Sequence, residues 1–276
     1  MHVGALQDRY LDRGRPLGEA RLLHEIGLHG IEMRALRDRL HLDSGYVARL
    51  THSLEEQGLL ELKPDEQDRR RRILRLTAGG RAELAAYEAM SDQLAERLLD
   101  KLEPEAGRRL VAAMSEVERL LRASRVELRF DSPRSEAGRR CLNQYFAELA
   151  ERFESGFEAN RSLPADPADF APPAGWFVIA SLDGEAVGCG GLKVADHHTG
   201  EIKRMWTATG ARRLGVARRV LGALESKARD ARLDRLRLET NHSLAEAQAL
   251  YRSAGFEEVE PFNDEPYAHH WYEKTL

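Results

Sequence analysis

Apolar positions in the first part of the chain recur with the period of an α-helix. The pattern predicts two short helices, at residues 18–29 and 33–42, and a third that begins at residue 44. Asp43 directly precedes the third helix and is a residue type that caps helix N-termini. Opposite its apolar positions, that helix carries small, polar and basic residues: Ser44, Tyr46, Ala48, Arg49 and His52. Two helices joined by a tight turn, with such residues near the start of the second, favour entry into a DNA major groove.

The period changes from helical to alternating after Gly58. Residues 59–64 and 73–77 alternate on either side of a charged, turn-rich segment, which predicts a β-hairpin. The tip of this hairpin carries four consecutive arginines, from Arg69 to Arg72. Such arginines can enter a minor groove and contact phosphates, whereas an isolated arginine run is more often a solvated loop. The position of the run directly after two helices favours DNA contact.

Two long helices with apolar stripes follow the hairpin. The first is opened by Gly79-Gly80 and broken at Pro104, and the second spans 105–123. The apolar stripes consist of Leu84, Tyr87, Leu94, Leu98 and Leu102 on the first helix and Leu110, Val117 and Leu121 on the second. Stripes on peripheral helices need a partner surface. That partner is either the core of the same chain or a second copy of it.

From residue 125 onward, predicted strands alternate with predicted helices. Strands are predicted at 125–132, 176–183, 185–196 and 200–207, and a helix at 136–153. Asp183-Gly184 is the signal of a two-residue hairpin turn. The second part of the chain is therefore predicted to be an α/β domain.

The segment after Thr207 favours an anion site. A strand ends there, a loop with arginines and Gly215 follows, and a helix begins that carries Val220, Leu221 and Leu224 on its apolar face. The N–H groups and the dipole at such a helix start favour negative charge. The loop matches neither a Walker loop nor a GxGxxG fingerprint, so an ordinary capped helix is the alternative at this point.

Composition and charge limit the class of protein. The 276 residues suffice for two domains, and the formal net charge of −4 lies entirely beyond residue 125, which leaves the hairpin locally basic. Without a run of about 18 apolar residues or a signal-peptide layout, the sequence predicts a cytoplasmic protein with no membrane contact. Cys141 and Cys189 cannot form a disulfide scaffold. His197-His198 and His269-His270 lack metal-ligand spacing, so no metal site is predicted.

Residues 17–122 resemble the MarR family of winged-helix transcriptional regulators. The resemblance lies in the wing, Asp65-Glu66-Gln67-Asp68-Arg69-Arg70 followed by Ile73-Leu74-Arg75-Leu76-Thr77. It implies that Arg70 enters the minor groove, oriented by Asp68, with Arg69 and Arg71 beside it; Gln67 stands where the family often has another arginine. It also implies that Ser44, Gly45, Tyr46 and Arg49 face the DNA. The long helices would form a homodimer interface, which places two recognition helices on a palindromic double-stranded operator.

Residues 126–276 resemble the GNAT superfamily of acetyl-CoA-dependent N-acetyltransferases. The superfamily's loop pattern, Arg/Gln-x-x-Gly-x-Gly/Ala, is present as Arg212-Arg213-Leu214-Gly215-Val216-Ala217. The resemblance implies that the N–H groups from Arg213 to Arg218 hold the pyrophosphate of the cofactor acetyl-CoA. The cofactor arm would pair with the main chain at Met205, Trp206 and Thr207, with Asn241 reaching it from the next strand. The Met205 N–H would polarise the thioester carbonyl.

The same resemblance implies two catalytic residues. An alkyl ammonium has a pKa near 10, so a base must act directly or through water. Glu201 lies at the offset of the catalytic glutamate of lysine-acetylating members; its alternative is a surface carboxylate at a strand edge. Tyr251 lies where many members have the tyrosine that protonates the leaving thiolate, and a core aromatic position is compatible with that role. The acceptor is expected among residues about 145–165 and 260–272, near Tyr145, Glu154, Phe157, Asn263, Asp264 and Tyr267.

The sequence thus predicts a multidomain protein. Residues 1–124 form a mostly α winged helix-turn-helix domain, and residues 125–276 an α/β (α+β) GNAT fold with a central mixed, mainly antiparallel sheet. The predicted function is that of a transcriptional regulator that also transfers acetyl, by direct attack, to a primary amine of a small molecule, which could be amino-acid-like. In one alternative, the second domain only senses an acyl-CoA or an amine. In another, the winged helix has lost DNA binding and only dimerises the enzyme.

Overall fold

The structure is a computed structural model that describes residues 14–40, 42–64, 72–154, 156–158, 161–163 and 166–276. The chain divides into two units, Met1–Ala113 and Met114–Leu276. The division falls within helix α5 (Pro104–Ser124). The last turns of α5 are therefore grouped with the second unit, whereas the sequence pattern predicts a boundary at 124/125.

The first unit contains the predicted helices and hairpin. Its elements are α1 (Leu17–Ile26), β1 (Ile31–Glu32), α2 (Met33–Leu40), α3 (Ser44–Glu56), β2 (Leu60–Pro64), β3 (Arg72–Leu76) and α4 (Ala78–Leu99). The strands form a sheet in the order β1-β3-β2. The Asp43 carboxylate caps α3, accepting hydrogen bonds from the N–H groups of Gly45 (3.0 Å) and Tyr46 (3.1 Å). Strand β1, two residues long, is too short to give a periodic signal.

The core of the first unit is built from the periodic positions of its helices and hairpin. Leu23 of α1, Leu36 of α2, Leu54 of α3 and Leu74 of β3 are fully buried. Because these residues come from four elements, burying them fixes α3 on one side of the core with its polar face outward. The winged helix-turn-helix prediction is confirmed.

The apolar stripe of α5 is exposed. Val111, Met114, Val117, Leu120 and Leu121 are each about half exposed or more, and none of the described residues of this helix is buried. The stripe of α4 differs along its length, since Leu84 and Tyr87 are buried whereas Leu94 and Leu98 are partly exposed. Among the described residues, the stripe of α5 is therefore not covered by the core of its own chain.

The second unit is built around a mixed sheet. Its further elements are β4 (Val126–Phe130), α6 (Glu136–Arg152), β5 (Gly175–Leu182), β6 (Glu185–Val194), β7 (Thr199–Thr207), α7 (Val216–Asp230), β8 (Arg235–Thr240), α8 (Ala245–Ser253), β9 (Glu257–Val259) and β10 (His270–Thr275). The seven strands lie in the order β4-β5-β6-β7-β8-β10-β9, and β7–β8 is the parallel pair. Asp183 and Gly184 both have positive φ, as the β5–β6 turn requires. The predicted mixed, mainly antiparallel sheet is confirmed.

Helix α7 packs on one face of this sheet. Val220, Leu221 and Leu224, the predicted apolar positions, are buried against sheet residues that include Leu192 and Leu236. This packing holds the N-terminus of α7 close to the first half of β6 and the end of β7, where Val216 and Trp206 both approach Gly188. Among the described residues, no helix is both long enough and apolar enough to span a bilayer.

Candidate functional site

The parallel strands β7 and β8 pair only at their beginnings. The pairing extends from Thr199 opposite Arg235 to Glu201 opposite Arg237, although β7 continues to Thr207 and β8 to Thr240. The last residues of the two strands therefore diverge and leave a cleft in the middle of the sheet. Main-chain groups on the β8 side of β7 are available there to an extended ligand.

A bulge in β7 shapes the floor of this cleft. The β6–β7 register passes from Cys189–Trp206 to Gly191–Lys203, so Arg204 and Met205 have no partner in that ladder. Arg204 has φ of 59°, a left-handed conformation that costs about 1 kcal/mol in a residue with a side chain. Opposite the bulge, a Cβ on Gly190 would lie 2.5 Å from the Met205 Sδ. Glycine at this position therefore lets the bulge pack against β6.

The bulge changes which residues of β7 line the cleft. In a regular strand alternate residues point to opposite faces. Here four consecutive residues, from Ile202 to Met205, line one cavity. The basic residues Lys203 and Arg204 therefore both belong to the cavity wall, next to Met205.

Aromatic side chains form much of the remaining wall. Tyr145, Phe153, Phe157 and Tyr267 line the cavity, and the Phe157 and Tyr267 rings lie 4.9 Å apart. Tyr251 of α8 lines it as well and is 5% exposed. Desolvation raises the pKa of Tyr251 above its ordinary value and that of Tyr145 to about 12, so both phenols carry their proton at neutral pH.

Two carboxylates lie close to the cavity and share one lysine. Glu201 accepts hydrogen bonds from Arg237 Nε (3.0 Å) and Nη2 (2.6 Å), and its other oxygen is 3.6 Å from Lys203 Nζ. Glu239 pairs with the same ammonium group and lines the cavity, whereas Glu201 is not among the described residues that do so. Glu239 is a functional candidate that the sequence did not reveal, because the register that places it beside Lys203 joins residues far apart in the chain.

The N-terminus of α7 has the features of an anion site. Its N-cap, Gly215, is left-handed (φ 75°) and provides no side-chain cap. The Arg219 N–H is the first to bond back into the helix, to the Gly215 carbonyl at 3.0 Å. The N–H groups of the three preceding residues thus lack an intrahelical partner. Leu214 and Val216 are buried and fix the loop.

Two arginines at the start of α7, Arg212 and Arg218, are already engaged. Arg212 donates to Glu148 (2.6 Å) and to the Thr207 carbonyl (3.4 Å), and Arg218 contacts Ser253. In this structure the predicted anion site consists mainly of main-chain N–H groups, Ala217 among them.

The predicted residues of the cofactor arm lie along the cleft. Met205 lines the cavity, Trp206 is buried and donates to Glu148 (3.0 Å), and Thr207 has a buried Oγ1 without a hydrogen-bond partner among the described residues. Asn241 lines the cavity too, although its side chain donates to the Tyr267 carbonyl (2.8 Å) and accepts from the Ser243 N–H (2.9 Å). Asn241 is therefore placed to shape the cleft through its loop.

The last turns of α5 hold the same loop. Arg119 donates to the Arg213 carbonyl (3.0 Å), and Arg122 donates to the Gly210 carbonyl (3.1 Å). In the reverse direction, Arg219 of α7 donates to the Ala123 carbonyl (3.1 Å). Sequence reasoning missed these contacts, because a side chain that bonds a distant main-chain carbonyl leaves no local pattern.

The predicted DNA-contacting residues of α3 lie on its exposed face. Ser44, Gly45, Tyr46 and Arg49 are exposed, and the Arg49 guanidinium lies 5.8 Å from the centre of the Tyr46 ring. The other predicted DNA-binding residues lie outside the described residues: Asp68, Arg69, Arg70 and Arg71. The α3 face is thus compatible with groove contact.

Other candidates are not brought into the cavity. Glu154, Asn263 and Asp264 are absent from the described lining, and the Glu154 side chain is 88% exposed. Cys141 and Cys189 are buried and reduced. The described residues contain no cluster of His, Cys, Asp or Glu that could hold a metal ion.

Comparison with known proteins identifies both units. Residues 142–256 match the family model "Acetyltransferase (GNAT) family". An IAA acetyltransferase from Azospirillum brasilense is 34% identical over 122 residues, which cover 44% of this chain and 75% of that protein. The chain belongs to the GNAT family of acetyltransferases. Residues 13–71 match the "MarR family" model, so the first unit carries a MarR-family domain.

Other relatives match the GNAT unit over different lengths. The uncharacterized N-acetyltransferase YsnE of Bacillus subtilis is 44% identical over 82 residues, 29% of this chain and about half of its own length (54%). A solved GNAT-family acetyltransferase from Staphylococcus aureus Mu50 is 18% identical and covers 54% of this chain and 99% of its own, with a TM-score of 0.47.

GNAT acetyltransferases use acetyl-CoA as the acyl donor, and the residues present fit it. The uncapped start of α7 offers main-chain donors to a pyrophosphate. The cleft between β7 and β8 offers main-chain groups to an extended arm, and the unpartnered Thr207 hydroxyl lies at the end of β7.

Proposed function

We propose that this protein transfers acetyl from acetyl-CoA to a primary amine of a small molecule and also binds a DNA operator as a homodimer. For the transfer, the supporting observation is the cavity at the diverging ends of β7 and β8, which brings Met205 and Tyr251 to one place. The MarR-family domain supports the regulatory part. Both activities belong in the cytoplasm, where DNA and acetyl-CoA are found together.

In the proposed reaction the amine attacks the thioester carbonyl directly. The N–C bond forms and the C–S bond breaks without an acyl-enzyme, in keeping with the position of both cysteines outside the described lining of the cavity. The Met205 N–H, outside the β6–β7 ladder, donates to the carbonyl oxygen. A carboxylate accepts the proton that the ammonium loses before attack, and Tyr251 gives its proton to the leaving sulfur. The second proton that the nitrogen loses as the amide forms restores the Tyr251 hydroxyl.

The test of this activity is coenzyme A release measured with acetyl-CoA and a panel of primary amines. Release that depends on the amine, with the N-acetylated product identified by mass spectrometry, supports the proposal. Binding of acetyl-CoA without turnover of any amine would instead favour a domain that only senses an acyl-CoA.

The two carboxylates can be separated by their pH–rate profiles. We expect Glu201→Gln to lower kcat/KM at neutral pH about tenfold. The acid limb of its pH–rate profile should move to higher pH, because without the base only amine that is already neutral reacts. Glu239→Gln is the comparison, because Glu239 pairs with the same Lys203 ammonium. A profile that moves only in Glu239→Gln would make Glu239 the base in place of Glu201.

The exposed stripe of α5 supports the homodimer. A continuous row of half-exposed apolar side chains is unfavourable in water and typical of an interface. We expect the double variant Leu110→Glu, Val117→Glu to weaken self-association about 30-fold, measured by sedimentation equilibrium. Ser115→Glu, which adds a charge at another exposed position of α5, is the control. An unchanged mass for the double variant would place the interface elsewhere.

A further inference from the structure

The wall of the cavity contains an arginine without an acidic partner. Arg204 lines the cavity, and its guanidinium carbon lies 4.8 Å from the centre of the Phe146 ring and 5.9 Å from that of Tyr145. Among the described residues, no carboxylate forms an ion pair with it. The nearby acids are engaged elsewhere, Glu239 with Lys203 and Glu201 with Arg237.

The fold holds this arginine in place in a strained conformation. The left-handed backbone of Arg204 and the bulge in β7 place this residue on the cavity wall between its lining neighbours Lys203 and Met205, with its guanidinium beside the ring of Tyr145, which also lines the cavity. The Arg204 carbonyl accepts a hydrogen bond from the Cys189 thiol (3.4 Å), which fixes the bulge from the side of β6. Strained residues that persist are typical of ligand-binding positions.

The remaining acid on the cavity wall is already satisfied by neutral donors. Glu265 accepts hydrogen bonds from the Ser162 hydroxyl (2.9 Å) and from the Leu163 N–H (2.8 Å). Lys203 is paired with Glu239, and the oxygens of Glu265 are turned to neutral donors, so among the described cations of the lining Arg204 is the one without a carboxylate partner. A guanidinium in a partly desolvated site pairs best with a carboxylate.

Building on the proposed transferase activity, we propose that the acceptor is an amino acid with an apolar, aromatic-sized side chain whose carboxylate binds Arg204. The side chain packs on the wall of Phe153, Phe157 and Tyr267, and the amino group faces Met205 and Tyr251. Arg204 thereby selects acceptors that carry an acid group next to the amine.

The test compares two acceptors that differ only in the carboxylate, L-phenylalanine and 2-phenylethylamine. With the wild-type chain, kcat/KM for L-phenylalanine is expected to exceed that for the amine by about 30-fold, the worth of a charge-assisted pair. Arg204→Asn removes the charge with a residue that tolerates the left-handed conformation. It should lower kcat/KM for L-phenylalanine about 30-fold and leave that for 2-phenylethylamine within about threefold.

Arg139→Gln, an exposed arginine of α6 outside the cavity, is the matched control and should leave both values unchanged. Arg204→Lys should restore part of the preference, because it returns the charge without the planar pair of donors. Equal turnover of the two acceptors by the wild-type chain, or an equal loss for both in Arg204→Asn, would overturn the assignment.

A binding measurement keeps this test independent of turnover. We expect 3-phenylpropionate, which has the carboxylate but no amine, to bind the wild-type chain in calorimetry with coenzyme A present, and to bind Arg204→Asn about tenfold more weakly or worse. Binding of this probe without turnover of any amine would leave the carboxylate site standing and reject the transferase. Absence of binding to the wild-type chain would reject the site.

Discussion

Tyr251→Phe is expected to lower kcat about 100-fold, with little change in the KM for acetyl-CoA, because general acids contribute on that scale. The ring of Tyr251 packs 5.9 Å from that of Phe256, and a phenylalanine fills the same space. The variant therefore removes the proton donor without a cavity. Steady-state rates with a saturating amine, together with the KM for acetyl-CoA, measure the effect.

Tyr272→Phe is the matched control for this prediction. Tyr272 lies on β10, its hydroxyl is buried without a described hydrogen-bond partner, and its ring lies 6.2 Å from that of Tyr251 on α8. Loss of that hydroxyl should leave kcat unchanged.

The pH dependence of the wild-type rate gives a further check. Since desolvation raises the pKa of Tyr251, its deprotonation should produce no falling limb in the wild-type rate below about pH 10. Equal turnover by Tyr251→Phe and the wild-type chain would remove Tyr251 as the acid.

The second large effect is expected at the DNA. The double variant Arg49→Ala, Arg70→Ala should weaken operator binding about 1,000-fold, because each arginine contact with DNA is worth about 1–3 kcal/mol. Arg49 is exposed on α3, and Arg70 is the arginine that the MarR resemblance assigns to the minor groove. Gel shifts with DNA from upstream of the protein's own gene measure the affinity.

Salt dependence distinguishes lost contacts from lost folding. Each phosphate contact removed should reduce the slope of log K against log salt by about 0.9, so the slope is expected to fall along with the affinity. Arg21→Ala, an exposed arginine of α1 without a described ion pair, should change neither quantity. If the wild-type chain fails to bind at low salt, the MarR-family domain is not a DNA-binding module in this protein.

Local signals in the sequence predicted most elements of the fold. The helical period of Val47, Leu50 and Leu54 predicts α3, and all three are buried. Asp43 predicts where the helix begins, and it caps the helix as expected. Strands β4 to β7 and the loop before α7 were predicted in the same way, because each depends on residues that are neighbours in the chain.

The parts of the site that depend on register could not be predicted. The bulge at Arg204 results from how β7 packs on Gly190, and nothing near Arg204 in the sequence marks a positive φ. Glu239 comes beside Lys203 only through the parallel pairing of β7 with β8. The structure therefore adds Glu239 as a second candidate for the base, beside Glu201, which the sequence predicts.

The hydrogen bonds from α5 bear on how such a two-part chain can be inherited. A gene segment that began at β4, the first strand of the second unit, would remove the arginine donors of the Gly210 and Arg213 carbonyls. It would also remove the Ala123 carbonyl, which accepts from Arg219. The acetyltransferase domain therefore cannot be cut at β4 without losing these hydrogen bonds. A recombination event or an engineered swap that keeps the loop in this conformation has to carry the end of α5, with Arg119 and Arg122, along with the enzyme.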